Sequence, residues 1–394
     1  MVNELDGASR SGMEGLMNRI YLDNHASTEV DPRVAQAMAE AGFGNPHSDH
    51  AVGWEAAAKI DEARAGIAML IGANHEEIIF TSGATEANNL AILGMRRKAA
   101  EGRNKIIRSA IEHKSVIAAC DHLRAEWGFE ITVLPVSSEG MVDLDALEAA
   151  LDERTALCTV GFVNNEIGTI QDVRSIGRLC RDASVPLHTD AVQAPLAADI
   201  SDLARWCDLI SLSSHKMHGP MGVGALFIAG DIQHAIAPIM FGGGQQSSLR
   251  PGTLPLQLCV GMGTAAQLCL KNEVWRNNIT QTRDAFLDEL RALGMQFHLN
   301  GPEPGPFRHP GNANISFPGI EADELIGLLQ PQLAASSGSA CTAGTIEPSY
   351  VLTALGLPTD QVRSAVRFGF AMKMDPAKAR EAALLVSDAA ERCT

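Results

Sequence analysis

Short apolar runs alternate along this chain with longer stretches of helical period. Runs at Ile78–Thr81, Lys105–Ser109, Glu130–Leu134, Ala156–Val160, Pro186–Thr189, Asp208–Ser211 and Gly224–Ile228 read as buried strands. Between them the spacing predicts helices over Thr85–Lys98, Ser115–Trp127, Leu144–Leu151 and Val173–Asp182. Such alternation predicts an α/β fold with a mostly parallel sheet covered on both faces. Ligand sites then belong at the carboxyl ends of the strands. After about residue 270 the rhythm changes. A long helical stretch, Ala265–Leu293, leads into a Pro/Gly-rich segment, Asn300–Asn312. Strands at Asn314–Phe317 and Leu333–Ser336 and helices at Ala322–Leu329, Ser349–Ala354 and Pro376–Arg392 follow, as in a smaller α+β unit. The expected division is a loose polar leader over 1–19, a large domain over 35–267, and a small domain built from 20–34 and 268–394. The short strand at Ile20–Leu22 suits either domain.

Composition narrows the function classes. The 394 residues are 46% apolar and 20% charged, which excludes disorder and a small disulfide scaffold. The net charge of −16 argues against nucleic-acid binding, because phosphate contacts need local cations and no Lys/Arg run occurs. The best candidate membrane span, Met221–Phe241, is interrupted by Asp231, Gln233 and His234. Residues 1–18 carry Asn3, Glu4, Asp6 and Glu14 and no apolar signal core. The eight cysteines are dispersed without a CxxC pair and read as reduced thiols, so a cytoplasmic location is expected.

Four constellations carry candidate chemistry. Ser82-Gly83-Ala84-Thr85-Glu86 follows an apolar run and opens a helix, where backbone N–H groups favour an anion. An ordinary N-cap by Ser82 or Thr85 is the plainer reading. His188-Thr189-Asp190-Ala191-Val192-Gln193 ends a strand; Asp190 can hold a protonated heterocycle nitrogen, with Gln193 in reach, or can simply cap a helix. Ser213-Ser214-His215-Lys216-Met217-His218-Gly219 places one lysine after another strand, where a partly dry site favours an amine that forms a Schiff base; a lone exposed lysine in a loop is the plainer reading. The His215/His218 and His47/His50 pairs lack the partners of a metal site, and no metal is expected. Cys341 differs from the other cysteines: it stands in Ser336-Ser337-Gly338-Ser339-Ala340-Cys341-Thr342-Ala343-Gly344, a small-residue stretch that suits an exposed nucleophile or an incidental turn. A phosphate cup, a carboxylate and a lysine, each after a strand, together fit pyridoxal 5′-phosphate (PLP), and His113 can stack on its ring.

These residues resemble the cysteine desulfurases, within the class V group of PLP-dependent, fold-type-I enzymes. The resemblance spans about Ile20–Phe370 through FTSGATEANN, EHKSV, NNEIGTIQ, HTDAVQ, SSHKMHGPMGVGAL, RPGTLP and SSGSACTAGTIEPSYVLTALG. The last motif resembles the desulfurase group with the longer cysteine loop. The resemblance implies a fold-type-I architecture, a large domain with a seven-stranded, mostly parallel sheet plus a smaller α+β domain. Lys216 is then the cofactor-bonding lysine, Asp190 the partner of the pyridine nitrogen, and Gln193 that of the phenolic oxygen. His113 stacks on the ring and moves protons. Thr85, Ser213 and His215 bind the phosphate, with Thr253 reaching the partner subunit's cofactor in a homodimer. Asn165 and Arg367 bind the substrate carboxylate. Two positions depart from the family's habit: His25 stands where a small residue or Asn is usual, and Gln246-Ser247 where Glu-Arg is usual.

The implied reaction is removal of sulfur from L-cysteine, giving L-alanine and a persulfide on Cys341. The sulfur then passes to an acceptor protein for Fe–S cluster assembly or nucleic-acid thiolation. A selenocysteine lyase or another class V aminotransferase-like enzyme is the alternative, and a non-catalytic scaffold would be expected to lack Lys216 or Asp190.

Overall fold

The computed structural model describes residues 19–270, 273–337 and 348–393. Strands are numbered in chain order from β1 (Ile20–Tyr21). Seven strands form the main sheet: β2 (Ile78–Thr81), β3 (Lys105–Ser109), β4 (Glu130–Leu134), β5 (Thr155–Thr159), β6 (Leu187–Asp190), β7 (Leu209–Ser213) and β8 (Gly224–Ile228). Each corresponds to a predicted run, with ends shifted by two residues at most. The order is β2-β8-β7-β6-β5-β3-β4. The pairs from β7 to β4 are parallel, while β8 runs antiparallel to both β7 and β2.

Except at the edge strand β4, both faces of this sheet are buried, and the strands show it with period two. Ile78, Phe80, Ile107, Cys158, Ile210 and Phe227 join one core with the Ala51–Ile71, Val173–Asp182 and Leu256–Cys269 helices. Ile79, Ile106, Leu157, Leu209, Leu226 and Ile228 join the other with the Ala84–Gly94 and Lys114–Trp127 helices.

A third core forms around a four-stranded antiparallel sheet, β12-β13-β10-β9, of β9 (His298–Leu299), β10 (Asn312–Ser316), β12 (Ser336–Ser337) and β13 (Ala365–Gly369). The short β1 pairs in parallel with β11 (Leu333–Ala334), so Ile20 and Leu22 are buried in this third core. Two expectations need correction. The Ala265–Leu293 stretch is not one helix: one ends at Cys269 and another begins at Glu273. The Ala51–Ile71 helix was not anticipated; its small residues, Ala and Gly, blur the polar–apolar period that marks a surface helix. Among the described residues no helix is long and apolar enough to cross a membrane.

Candidate active site

The carboxyl ends of β2, β3, β5, β6 and β7 open on a cavity of about 590 Å³, closed on its far side by Asp23, Ser336 and Arg367 from around the third core. At one end the chain leaves β2 through Gly83, whose φ of 152° favours glycine, and enters the Ala84–Gly94 helix. Gly83 is the N-cap, and no side chain fills the capping role there. The reading of Ser82 or Thr85 as an ordinary cap is thereby overturned, and the first-turn N–H groups are left for an anion. Thr85, Ser213 and His215 line this end. Glu86 would repel a phosphate, but it is occupied: it pairs with Arg250 at 2.7 Å and accepts from the Ser82 N–H at 2.7 Å. Burial acts to raise its pKa, yet these bonds hold it below the usual carboxylate range. Burial, and then the neighbouring Lys216 charge, lower His215 to about 4.

In the middle, Asp190 ends β6 and lines the cavity, accepting from the Val192 N–H at 3.1 Å and from Asn88 Nδ2 at 2.7 Å. It makes no helix-capping bond to a helix proper, since a 3₁₀ turn begins only at Ala194. Lys216 follows β7 and donates to the carbonyls of His25 and, at 2.9 Å, Ala26. Gln193 Nε2 donates to the His25 carbonyl at 2.9 Å. His113 caps the Lys114–Trp127 helix and lines the cavity. At the other end Arg367, on β13, pairs with Asp23 at 2.8 Å and donates to the Asn165 carbonyl at 3.1 Å. Asn165 lines the cavity beside it.

The structure thus gathers Thr85, His113, Asn165, Asp190, Gln193, Ser213, His215, Lys216 and Arg367 around one space. Thr253 is not among them; it is exposed on the surface. Cys341 lies outside the described residues, in the stretch that follows the cavity-lining Ser336 and β12. The donor set fits PLP at each point of the molecule. There is an anion cup with a hydroxyl and an imidazole, an anionic acceptor for a ring N–H, an amine for an aldehyde, and an arginine for a substrate carboxylate. Gly224 confirms how tightly the cup is built: a Cβ there would lie 2.7 Å from Gly83 Cα.

Residues 20–379 match the description of the aminotransferase class-V family. The chain belongs to that family. Within it, the relatives are consistent. Cysteine desulfurase IscS of Rickettsia bellii is 43% identical over 365 residues, covering 91% of this chain and 87% of the relative. The same enzyme of Rickettsia rickettsii is 43% identical over 355 residues, covering 89% and 86%. Among solved structures, a NifS-like protein superposes with a TM-score of 0.86 at 30% identity, covering 95% of this chain and 99% of its own. SspA in complex with cysteine gives a TM-score of 0.78 at 34% identity, covering 89% and 99%.

Three features of this class-V site were not read from the sequence. Glu112, inside EHKSV, is fully buried and lines the cavity, accepting from Ser109 Oγ at 2.5 Å and the Gly161 N–H at 2.9 Å. Burial is the main cause that pushes it up to about 7. Asn88 and Ser115 connect Asp190 to His113. Residue 88 lies one turn after Thr85, a spacing that could have exposed it. His25 fills the wall behind Lys216, its ring 4.6 Å from His309 and 3.3 Å from Gln193 Oε1. Burial and then His309 hold it neutral, well below the usual imidazole range. The other departure has a structural part too. Gln246 accepts from the Phe80 N–H at 2.7 Å and donates to the Phe80 carbonyl at 2.9 Å, which continues the ladder on the outer edge of β2.

Proposed function

We propose that this chain is a PLP-dependent L-cysteine desulfurase whose residues act as follows. The observation that carries the reading is that Lys216 after β7, Asp190 at the end of β6 and Arg367 in the middle of β13 converge on one cavity. Lys216 bonds the cofactor aldehyde, Asp190 holds the ring nitrogen protonated, and Gln193 bonds the phenolic oxygen. Thr85, Ser213 and His215 hold the phosphate. Arg367 and Asn165 orient the substrate carboxylate, for which a guanidinium fork is well matched. When bound, PLP supplies the electron sink for the pair left at the substrate Cα. The Lys216 amine removes that Cα proton. The Cys341 thiolate attacks the substrate sulfur; the new S–S bond forms as the Cβ–S bond breaks, and the carbon product leaves as alanine. Cys120, Cys259 and Cys269 suit no such role: they are buried and pushed up to about 12, which keeps them as thiols.

A homodimer belongs to this reading. Phe241 and Phe43, 85% and 80% exposed, are the most exposed large apolar side chains among the described residues. Both flank the Thr253 segment: the Gly42 carbonyl accepts from Gln257, and Gly242 lies against Pro251. A second copy covering them would bring Thr253 to its neighbour's phosphate. The persulfide sulfur would pass to an acceptor protein. The test is a visible spectrum before and after L-cysteine, with alanine and sulfide assayed together. A cofactor band that shifts, with both products, is expected. In Cys341→Ala the band should remain and the persulfide should not form. Wild-type turnover in that variant, or no band even with added PLP, would overturn the assignment.

A further inference from the structure

A chain of hydrogen bonds, buried at its Asn88–Ser115 link and part-buried at its two ends, runs from Asp190 to His113, and the donor properties of its members fix its direction. A carboxylate only accepts, so Asn88 presents its amide NH₂ to Asp190, at 2.7 Å. The same Nδ2 donates to Ser115 Oγ at 2.9 Å. Asn88 Oδ1 has no partner among the described residues, and turning the amide over would set that oxygen against the carboxylate. The Ser115 oxygen is thus already an acceptor, and its own proton points to the one remaining neighbour, His113 Nδ1, at 2.7 Å. A second donor meets the same nitrogen: the Ser115 backbone N–H, at 3.1 Å. Nδ1 receives two donors and has no room for a proton of its own.

We infer that Asn88 and Ser115 are positioning residues that fix His113 as its Nε2–H tautomer, so that the imidazole meets the cavity as a hydrogen-bond donor and not as a base. This deepens the function proposed above and rests on it insofar as His113 faces the cofactor and substrate. The assignment divides the labour: Lys216 is left to take the Cα proton, and His113 to donate a hydrogen bond to an accepting atom while keeping its own proton. The carboxylate that would hold the pyridine nitrogen is also the one that orients Asn88 and, through Ser115, His113. Asn88 and Ser115 are 0% and 8% exposed, which shields the link between them from water.

The test is ¹⁵N NMR of the full-length protein with labelled histidine, at about pH 8, where an ordinary imidazole is neutral. The His113 signals are assigned by their loss in His113→Asn. A pyridine-type Nδ1 and a pyrrole-type Nε2 are expected, with and without PLP. A pyrrole-type Nδ1 would overturn the inference. In Ser115→Ala a tautomer mixture is expected, with kcat lowered about tenfold, the worth of one neutral hydrogen bond, and KM for L-cysteine within twofold. Ser115→Thr should restore both. Unchanged signals and unchanged kcat in Ser115→Ala would also overturn it. The wild-type measurement stands if that variant fails to fold. Because the tautomer is read first on cofactor-free protein, a failure to bind PLP would overturn the proposed function and leave this measurement intact.

Discussion

Replacing Glu112 by Gln gives a prediction whose sign changes with pH. The carboxyl is fully buried against the ends of β3 and β5, and desolvation raises it from 4.5 to about 7, with a smaller push from Asp190. Bonds from Ser109 and Gly161 offset only part of that. A folded-state pKa above the unfolded value means that the folded state prefers the protonated form. The stability this group contributes is therefore present below about pH 4.5 and lost as pH rises towards 7. At about 1.4 kcal/mol per unit, the loss is about 3 kcal/mol. Gln has nearly the same shape, its oxygen can still accept from Gly161, and it does not ionise. Relative to wild type, Glu112→Gln should gain about 3 kcal/mol between about pH 5 and pH 8. With an unfolding entropy of about 2 cal/mol/K per residue, that is a shift in the Tm difference of about 4 °C. Tm of both proteins is measured across this range at fixed protein concentration and saturating PLP, so that ligand and subunit linkage enter both alike. A Tm difference that stays flat, or that moves against the variant as pH rises, would refute the reasoning.

Other consequences follow from single contacts. Arg367→Lys keeps the charge and loses the fork; KM for L-cysteine should rise about 10- to 100-fold, equivalent to one charge-assisted hydrogen bond of about 1.5–3 kcal/mol, and an unchanged KM would remove Arg367 from substrate binding. Gly224→Ala sets a Cβ 2.7 Å from both Gly83 Cα and the Leu212 carbonyl. It should cost about 1–3 kcal/mol and reduce PLP retention on gel filtration, and full retention with an unchanged Tm would show that the cup is not so tightly built. Gln246→Ala strips both polar groups of Phe80 on the outer edge of β2 of their side-chain partner. A loss of about 2 kcal/mol or more in thermal or urea unfolding is expected, and a neutral result would mean that water replaces the amide.

What the sequence reveals and what it hides have physical causes here. Strands buried on both faces are continuous apolar runs, so the main sheet was legible almost to its ends. The proposed cofactor-binding groups stand at or just after those ends, which is why Lys216, Asp190 and Thr85 can be placed from the chain alone. Arg367 rests on the family resemblance alone, because the arginine itself interrupts the short apolar run of β13, Ala365–Gly369. Glu112 was passed over because nothing in the local pattern shows that a carboxylate beside His113 folds under the cavity floor to reach Gly161. The Asn88–Ser115 bridge joins two helices that meet side by side, and a single sequence does not show which residues face across such a contact. Gln246 read only as a missing charge; its bonds to Phe80 are visible only when β2 is known to be an outer strand.

The reversed strand β8 bears on how this protein is made. It separates β2 from β7 in the sheet, and its first residue, Gly224, pairs with Thr81 on one side and Ser213 on the other. The two halves of the phosphate cup therefore meet only through a strand synthesised after both of them. During translation the Ser82–Thr85 turn emerges early and must wait for β8 before it has a neighbour to close against. The waiting β2 is an unpaired edge on a nascent chain, a period of exposure that favours engagement by chaperones. With the proposed cup incomplete until then, PLP binding is expected to begin late in biogenesis, and its onset in a series of ribosome-stalled chains would mark when β8 docks.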